Sequence, residues 1–370
     1  MKIIIIKSNL KDGINAIIRA AGENQTLPIL KNALIEAAEN TIRLTATNLE
    51  VAITTTIPGK VIETGKTTVP IALLGDVITN LQSERLNIET KNNTLEIKTD
   101  NYTAELQTIP ADEFPIIPKI KNTSQHLTIK GGALKEALAQ TTTSAQFSEL
   151  RPELSSVFFS FSLDHLKLAA TDSFRLSQKI ISKNHLTTNH TEPFKILIPL
   201  KTAQEISRII RDDDEAAITH DATQIAVTTE RTTIISRLID GTFPDYEYLI
   251  PKEFAAEITI NREELLGALK LVGVFSSRVS EVRMKISENQ KSVEISSADQ
   301  ATGTNTYVLP GVAKGAVKDI AFNWRYLGDG LRALSGEQVF IGLNDDNKPA
   351  ILKTPGEASY FYILMPILKT

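Results

Sequence analysis

The chain has 370 residues, long for one hydrophobic core, and reads as two or three domains. Its 42% hydrophobic and 23% charged residues are ordinary for a globular protein, and the absence of cysteine excludes disulfide frameworks, thiolate metal sites and cysteine nucleophiles. A net charge of −4 argues against gripping nucleic acid by bulk charge, so any such role requires basic residues gathered on one surface.

In chain order, Met1 to Lys7 reads as a first strand. Its apolar run, Ile3 to Ile6, is too short for a signal-peptide core, and no run nears the ~20 residues of a membrane span. The triplets Asn24 to Thr26 and Asn101 to Thr103 match glycosylation sequons, but without a secretion signal the expected compartment is the cytoplasm. A helix is predicted over 9–21, alternating residues over Thr41–Val51, a second helix over 70–82 and alternation again over Leu86–Ile97. The order then recurs: a helix over 131–146, alternation over Leu166–Ile180, a helix over 199–211 and alternation over Ala217–Thr228. It recurs once more with a helix over 261–274, alternation over Val293–Val308 and a helix over 323–334.

Three landmarks give the period. Leu10, Leu134 and Leu265 lie 124 and 131 residues apart, and the second helix of each copy starts 129 and 124 residues after the one before. Phe114-Pro115, Phe243-Pro244 and Met365-Pro366 close the copies at spacings of 129 and 122. Pro70 and Pro199 suit a first helical turn, where the missing N–H has no helical partner, and Asn323 suits an N-cap. Each copy therefore holds two helices among about eight short antiparallel strands rich in Ile, Val and Thr, an α+β domain used three times. The expected domains are 1–122, 123–253 and 254–370, with Pro118-Lys119 and Pro251-Lys252 near the boundaries.

The six helices carry ten basic residues: Lys11, Arg19, Lys135, Lys201, Arg208, Arg211, Arg262, Lys270, Arg325 and Arg332. Against them stand Asp12, Asp76, Glu136, Glu205, Glu263, Glu264 and Asp329, a surplus of three in an acidic protein. The sign suits helices facing phosphates and the size suits weak, sequence-independent contact, although Lys and Arg are also simply good helix formers.

No catalytic constellation emerges. A Gly-x-x-x-x-Gly-Lys-Ser/Thr phosphate loop is absent. His126, His165, His185, His190 and His220 are scattered without metal-ligand spacing. Gly328-Asp329-Gly330 falls inside a predicted helix rather than on a strand-to-helix turn, so it is not a dinucleotide fingerprint. Asp212 to Glu215 reads as a solvated turn after the fourth helix, and Asp172 beside Arg175 has no accompanying nucleophile or base. The expectation is a non-enzyme without cofactor or metal.

Several motifs resemble one family. Thr26-Leu27-Pro28-Ile29-Leu30-Lys31-Asn32 is similar to the N-terminal signature of the DNA polymerase III β subunits, the bacterial sliding clamps. Ala170-Thr171-Asp172-Ser173-Phe174-Arg175-Leu176 resembles their second-domain signature, and Asp240-Gly241-Thr242-Phe243-Pro244-Asp245-Tyr246, with Leu249 to Pro251, resembles the junction of the second and third domains. Arg151-Pro152-Glu153-Leu154 and the tail Tyr362-Ile363-Leu364-Met365-Pro366-Ile367 also fit, so the resemblance spans the chain.

The resemblance implies a head-to-tail homodimer closed into a ring, its helices lining a hole around duplex DNA and its sheets outside. It implies a processivity factor that tethers the polymerase III α subunit, the clamp-loader δ subunit and other proteins bearing a clamp-binding motif. Their peptides would dock on Leu154, Thr171, Ser173, Phe174, Arg175, Leu176, Pro244, Leu249, Ile363, Met365 and Pro366. The ten helix cations would face DNA, and the dimer contact is placed at Tyr102 and Leu106 against Val274 and Phe275. Asn24, Pro152 and Glu153 stand where some relatives present arginine or tyrosine to DNA, and Leu368-Lys369-Thr370 departs from the family tail. The competing reading is a β-rich scaffold that docks partners without DNA; a hydrolase is a third.

Overall fold

The structure is a computed structural model that describes residues 1–22, 26–39, 41–120, 125–317 and 319–368. The first copy of the repeat runs β1 (Lys2–Ile6), α1 (Lys7–Ile17), β2 (Asn32–Ala38), β3 (Thr41–Thr47), β4 (Val51–Ile57), β5 (Lys60–Glu63), β6 (Gly65–Pro70), α2 (Ile71–Asn80), β7 (Arg85–Lys91), β8 (Thr94–Lys98) and β9 (Thr103–Gln107). The second runs β10 (Leu127–Lys130), α3 (Gly131–Thr142), β11 (Ser156–Ser162), β12 (His165–Thr171), β13 (Arg175–Ser182), β14 (Leu186–Thr188), β15 (Phe194–Pro199), α4 (Leu200–Ile209), β16 (Glu215–His220), β17 (Gln224–Thr228) and β18 (Thr232–Arg237). The third runs β19 (Ala256–Asn261), α5 (Arg262–Val272), β20 (Glu281–Ile286), β21 (Ser292–Asp299), β22 (Gly303–Gly315), β23 (Ile320–Asn323), α6 (Trp324–Ala333), β24 (Gln338–Leu343), β25 (Ala350–Lys353) and β26 (Tyr360–Leu364). The long β22 does in one strand what β4 with β5, and β13 with β14, do in two: its second half pairs with β19 as β5 pairs with β1 and β14 with β10.

All six predicted helices form, with ends shifted by a few residues. Asn323 caps α6, its Oδ1 accepting from the backbone N–H of Arg325 and Tyr326. Pro70 and Pro199 do not sit inside the first turn; each is the last residue of the strand before, which its missing N–H and fixed φ suit equally well. The landmark Met365-Pro366 also differs from its two counterparts. It follows β26 directly, whereas Phe114 and Phe243 lie seven and six residues beyond β9 and β18. The strands keep a steadier period, since β9, β18 and β26 begin at 103, 232 and 360.

The chain forms two compact units. The first comprises Met1–Lys135, Leu186–His190 and Glu205–Leu238. It holds a five-stranded sheet in the order β5-β1-β7-β8-β9 and a nine-stranded sheet in the order β14-β10-β16-β17-β18-β4-β3-β2-β6. The alternation in β1 buries Ile3 and Ile5 and turns Lys2 and Ile4 outward. The second comprises Glu136–His185, Thr191–Gln204 and Ile239–Thr370, with one twelve-stranded sheet, β15-β11-β12-β13-β26-β25-β24-β19-β22-β21-β20-β23. One of its cores gathers Leu265, Leu269, Leu327, Leu331, Tyr360 and Tyr362 beneath α5 and α6.

Two joints link successive copies edge to edge. In the first unit β18 pairs with β4, Thr232 opposite Thr55 and Ser236 opposite Val51. In the second β26 pairs with β13, Leu364 opposite Arg175 and Tyr360 opposite Lys179. No described helix is long and apolar enough to cross a membrane.

Candidate functional site

The expected docking residues come together in the second unit, at the β13–β26 joint. Thr171 ends β12, and its Oγ donates to the Arg175 carbonyl at 2.7 Å while accepting from the Ser173 N–H at 3.2 Å. Asp172 Oδ1 accepts from the backbone N–H of Phe174 and Arg175, both at 3.0 Å. These bonds hold Ser173 at φ +78°, an unusual angle for a residue with a Cβ. The turn lifts Phe174 to 61% exposure. On the opposite rim the Met365 N–H donates to the Phe174 carbonyl at 2.8 Å, and the Ile367 N–H donates to Ala321 O, so the tail is stitched down beyond β26.

Leu154, Leu176 and Ile363 are buried, the last two in one cluster with Phe243 and Tyr246; Phe174 and Leu249 are exposed, Pro244 and Met365 half-buried, and Pro366 buried. In that cluster Phe158 and Phe243 stack at 4.9 Å, and Tyr246 donates to Gln178 Oε1 at 2.7 Å. Burial pushes the Tyr246 hydroxyl well above its ordinary pKa, so it remains a donor.

The Arg175 side chain is only 10% exposed and is engaged within the fold. Its guanidinium turns inward, donating from Nε to Asp172 Oδ2 at 2.9 Å and from Nη1 to Asp329 Oδ2 at 2.5 Å, and it lies 4.2 Å from the centre of the Tyr326 ring. Burial opposes its charge, but Tyr362 and the two carboxylates outweigh that and hold its pKa above the ordinary arginine value. Arginine at this position ties β13 to α6. A pattern of residue types along the chain could not have shown this tie, because Asp329 is 154 residues away.

The helix cations divide evenly. Among the described residues Arg19, Lys135, Arg208, Arg262 and Arg332 each meet a carboxylate, whereas Lys11, Lys201, Arg211, Lys270 and Arg325 form no ion pair. Arg208 also donates to Asn15 O at 2.8 Å and Ala16 O at 3.1 Å, satisfying the open carbonyl end of α1. Arg262 is still more occupied, with bonds to Gly336 O and Leu331 O. The charge surplus on the helices is thus partly spent within the fold, and helix α2 contributes no base.

Tyr102 is exposed beside the edge strand β9, but Leu106, at 3%, packs into its own sheet's interior and offers no side chain to a partner. Val274 is 70% exposed at the turn after α5, next to half-buried Phe275. Asn24, Lys369 and Thr370 lie outside the described residues.

The histidines are less scattered than their spacing implies. His190 and His220 stack at 5.8 Å near His126, yet no group with metal-holding geometry occurs among the described residues. Gly330 sits in α6 because a Cβ there would fall 2.5 Å from the Tyr362 ring. Asp212 and Asp214 close the turn after α4, taking Lys135 Nζ and the Arg211 N–H.

Three like copies of a two-helix, antiparallel-strand unit, joined at the strands β4 with β18 and β13 with β26, define a protein of the DNA-clamp class. Family descriptions match in series: "DNA polymerase III beta subunit, N-terminal domain" over 1–118, "central domain" over 128–245 and "C-terminal domain" over 247–368. The chain belongs to the DNA polymerase III beta subunit family, the DNA sliding clamps. It is similar to the beta sliding clamp of Synechococcus elongatus, 30% identical over 377 residues and 99% of each chain, and to that of Bacillus subtilis, 26% identical over 379 residues and again 99% of each. Among solved structures it is similar to the Streptococcus pyogenes polymerase beta subunit (TM-score 0.92, 25% identity, 100% of both chains) and to the Pseudomonas aeruginosa sliding clamp (TM-score 0.93, 24% identity, 100% of both).

Proposed function

We propose that two copies close head to tail into a ring around duplex DNA, sliding without sequence preference in the cytoplasm and doing no chemistry themselves. Domains 1–122, 123–253 and 254–370 are the repeating parts. The count of joints carries this reading. Strands β9, β18 and β26 hold equivalent places in the repeat, as do β4, β13 and β22. Two of the three possible pairings are made within the chain, β18 to β4 and β26 to β13. What remains is β9, at the end of its sheet, and the Gly303–Pro310 half of β22, paired on one side only among the described residues.

That half-strand exposes Tyr307 and Val308, and Val274 lies near it. An unpaired apolar edge needs a cover. Pairing β9 of one copy with β22 of the next repeats the internal joint, and two three-domain copies close the circle. Tyr102 and Val274 then fall at the joint. The unpaired cations Lys11, Lys201, Arg211, Lys270 and Arg325 supply weak contact to phosphate, and topology supplies retention. The groove around Phe174, Leu249 and Met365 takes short peptides of the polymerase III α subunit, the clamp-loader δ subunit and other partners, with roughly micromolar affinity.

Loading onto nicked circular plasmid, followed by linearisation, tests encirclement. The protein should stay on the circle through gel filtration and run off the linear DNA. Equal retention on both would replace the ring with a scaffold that docks on surfaces.

A further inference from the structure

The repeat builds the docking groove twice. At the β4–β18 joint, Thr47 Oγ donates to the Val51 carbonyl at 2.9 Å and accepts from the Leu49 N–H at 3.0 Å. Asn48 Oδ1 accepts from the N–H of Glu50 and Val51 at 3.0 and 2.9 Å, and Leu49 sits at φ +75°. This is bond for bond the turn made by Thr171, Asp172 and Ser173, 124 residues later. The opposite rim matches as well: the Arg237 N–H donates to Glu50 O at 3.0 Å, as Met365 does to Phe174.

Pro115, Ile116, Ile117 and Pro118 follow Phe114 as Pro244 to Glu247 follow Phe243, and they line a cavity of about 240 Å³ together with Leu49, Ala52, Ile235 and the charged residues Glu50 and Arg237. Leu49 is exposed and Ile116 is 95% exposed. An apolar side chain between two prolines, held in water, is costly to keep unless something covers it. Below the ~300–1,000 Å³ of a small-molecule cleft, the space suits two or three side chains of an extended peptide.

We propose that this joint is a second peptide-docking groove, taking an extended acidic and apolar segment of a partner protein. Among the positions at which its chemistry differs from the first, two lie on facing rims. Glu50 stands where Phe174 stands, and Arg237 stands where Met365 stands. Arg237 is exposed and makes no ion pair among the described residues. Its guanidinium selects a carboxylate on the ligand, while Pro115, Ile116 and Leu49 receive the neighbouring aliphatic side chains. The two grooves of one chain thereby prefer different peptides. The inference rests on the first groove being a peptide site only for the mode of binding.

The test uses the full chain with labelled Ile methyl groups and a synthetic probe, acetyl-Gly-Leu-Asp-Leu-Asp-Leu-Gly-amide. Methyl shifts at Ile116 and Ile235 report on the second groove, and Ile363 reports on the first. The expected result is a saturable shift at Ile116 and Ile235 that weakens at least about tenfold in Arg237→Glu and returns when the probe's Asp residues become Lys. Arg237→Glu keeps the backbone bond to Glu50, and an unchanged spectrum elsewhere verifies its fold. Shifts at Ile363 alone, or at neither groove, overturn the second groove and leave the first to its own test. A shift at Ile116 indifferent to Arg237→Glu overturns the recognition of a carboxylate.

Discussion

Along the β4–β18 joint the facing residues are Thr55 with Thr232, Ile53 with Ile234 and Val51 with Ser236. Along the β13–β26 joint they are Arg175 with Leu364, Ser177 with Tyr362 and Lys179 with Tyr360. The backbones do the same thing, but the first joint closes with hydroxyls and aliphatics. The second closes with buried aromatics and two nearly buried cations, Arg175 held by Asp172 and Asp329, and Lys179 by Glu136 and Glu357. Repetition fixes where strands meet; it does not fix what holds them. Buried ion pairs add little net stability because desolvation offsets attraction, but they tolerate only one geometry. The β13–β26 joint is therefore the more sharply defined of the two, and its turn is the one that presents Phe174.

The largest expected effect follows from removing one member of that ionic set. Arg175→Ala strands Asp172, whose side chain is 2% exposed, and should cost about 3–5 kcal/mol in urea unfolding. A loss below about 1 kcal/mol would make the two joints energetically alike.

A smaller effect is expected at the first joint, where the Thr55 and Thr232 hydroxyls meet at 3.0 Å in a buried site. Thr232→Val leaves Thr55 unsatisfied and should cost about 1–3 kcal/mol, whereas the double change to valine should recover most of it. Additive losses would show that the hydroxyl pair is not the unit.

The smallest effect is set by pH. Burial lowers the pKa of both His190 and His220, and the other two histidines of the cluster lower His190 further. Their folded values lie below the ordinary ~6.5, so the folded state binds fewer protons than the unfolded chain. The stability they contribute is whole above about pH 6.5 and falls as the pH drops below it. Melting temperature should decline from pH 7 to pH 5 less steeply in His190→Asn/His220→Asn than in the parent, with exchange protection lost first in the first unit. Equal slopes would remove the histidines as the cause.

Much of this was legible in the sequence because the repeat is written in apolar periodicity and in helix starts. Asn323 announced its cap, and alternation placed Ile3 and Ile5 in a core. Three things were not legible. The inward turn of Arg175 depends on Asp329, which only the fold brings near. The consumption of Arg208 by the end of α1 depends on a helix almost two hundred residues away. Met365-Pro366 kept the look of the earlier landmarks while lying at a different distance from its strand. One signal is written in the sequence itself: Thr47-Asn48 and Thr171-Asp172 are 124 residues apart, the same spacing as Leu10 and Leu134, and they mark both grooves.

The claim on which the rest depends is that β9 and β22 are two halves of a third joint. Sedimentation equilibrium of the cysteine-free chain at micromolar concentration tests it most directly. A single species of twice the 40.7 kDa chain mass, reduced to one chain by Val308→Asp or Tyr307→Asp on β22, is the predicted result. A parent protein that sediments as a single 40.7 kDa chain would contradict it.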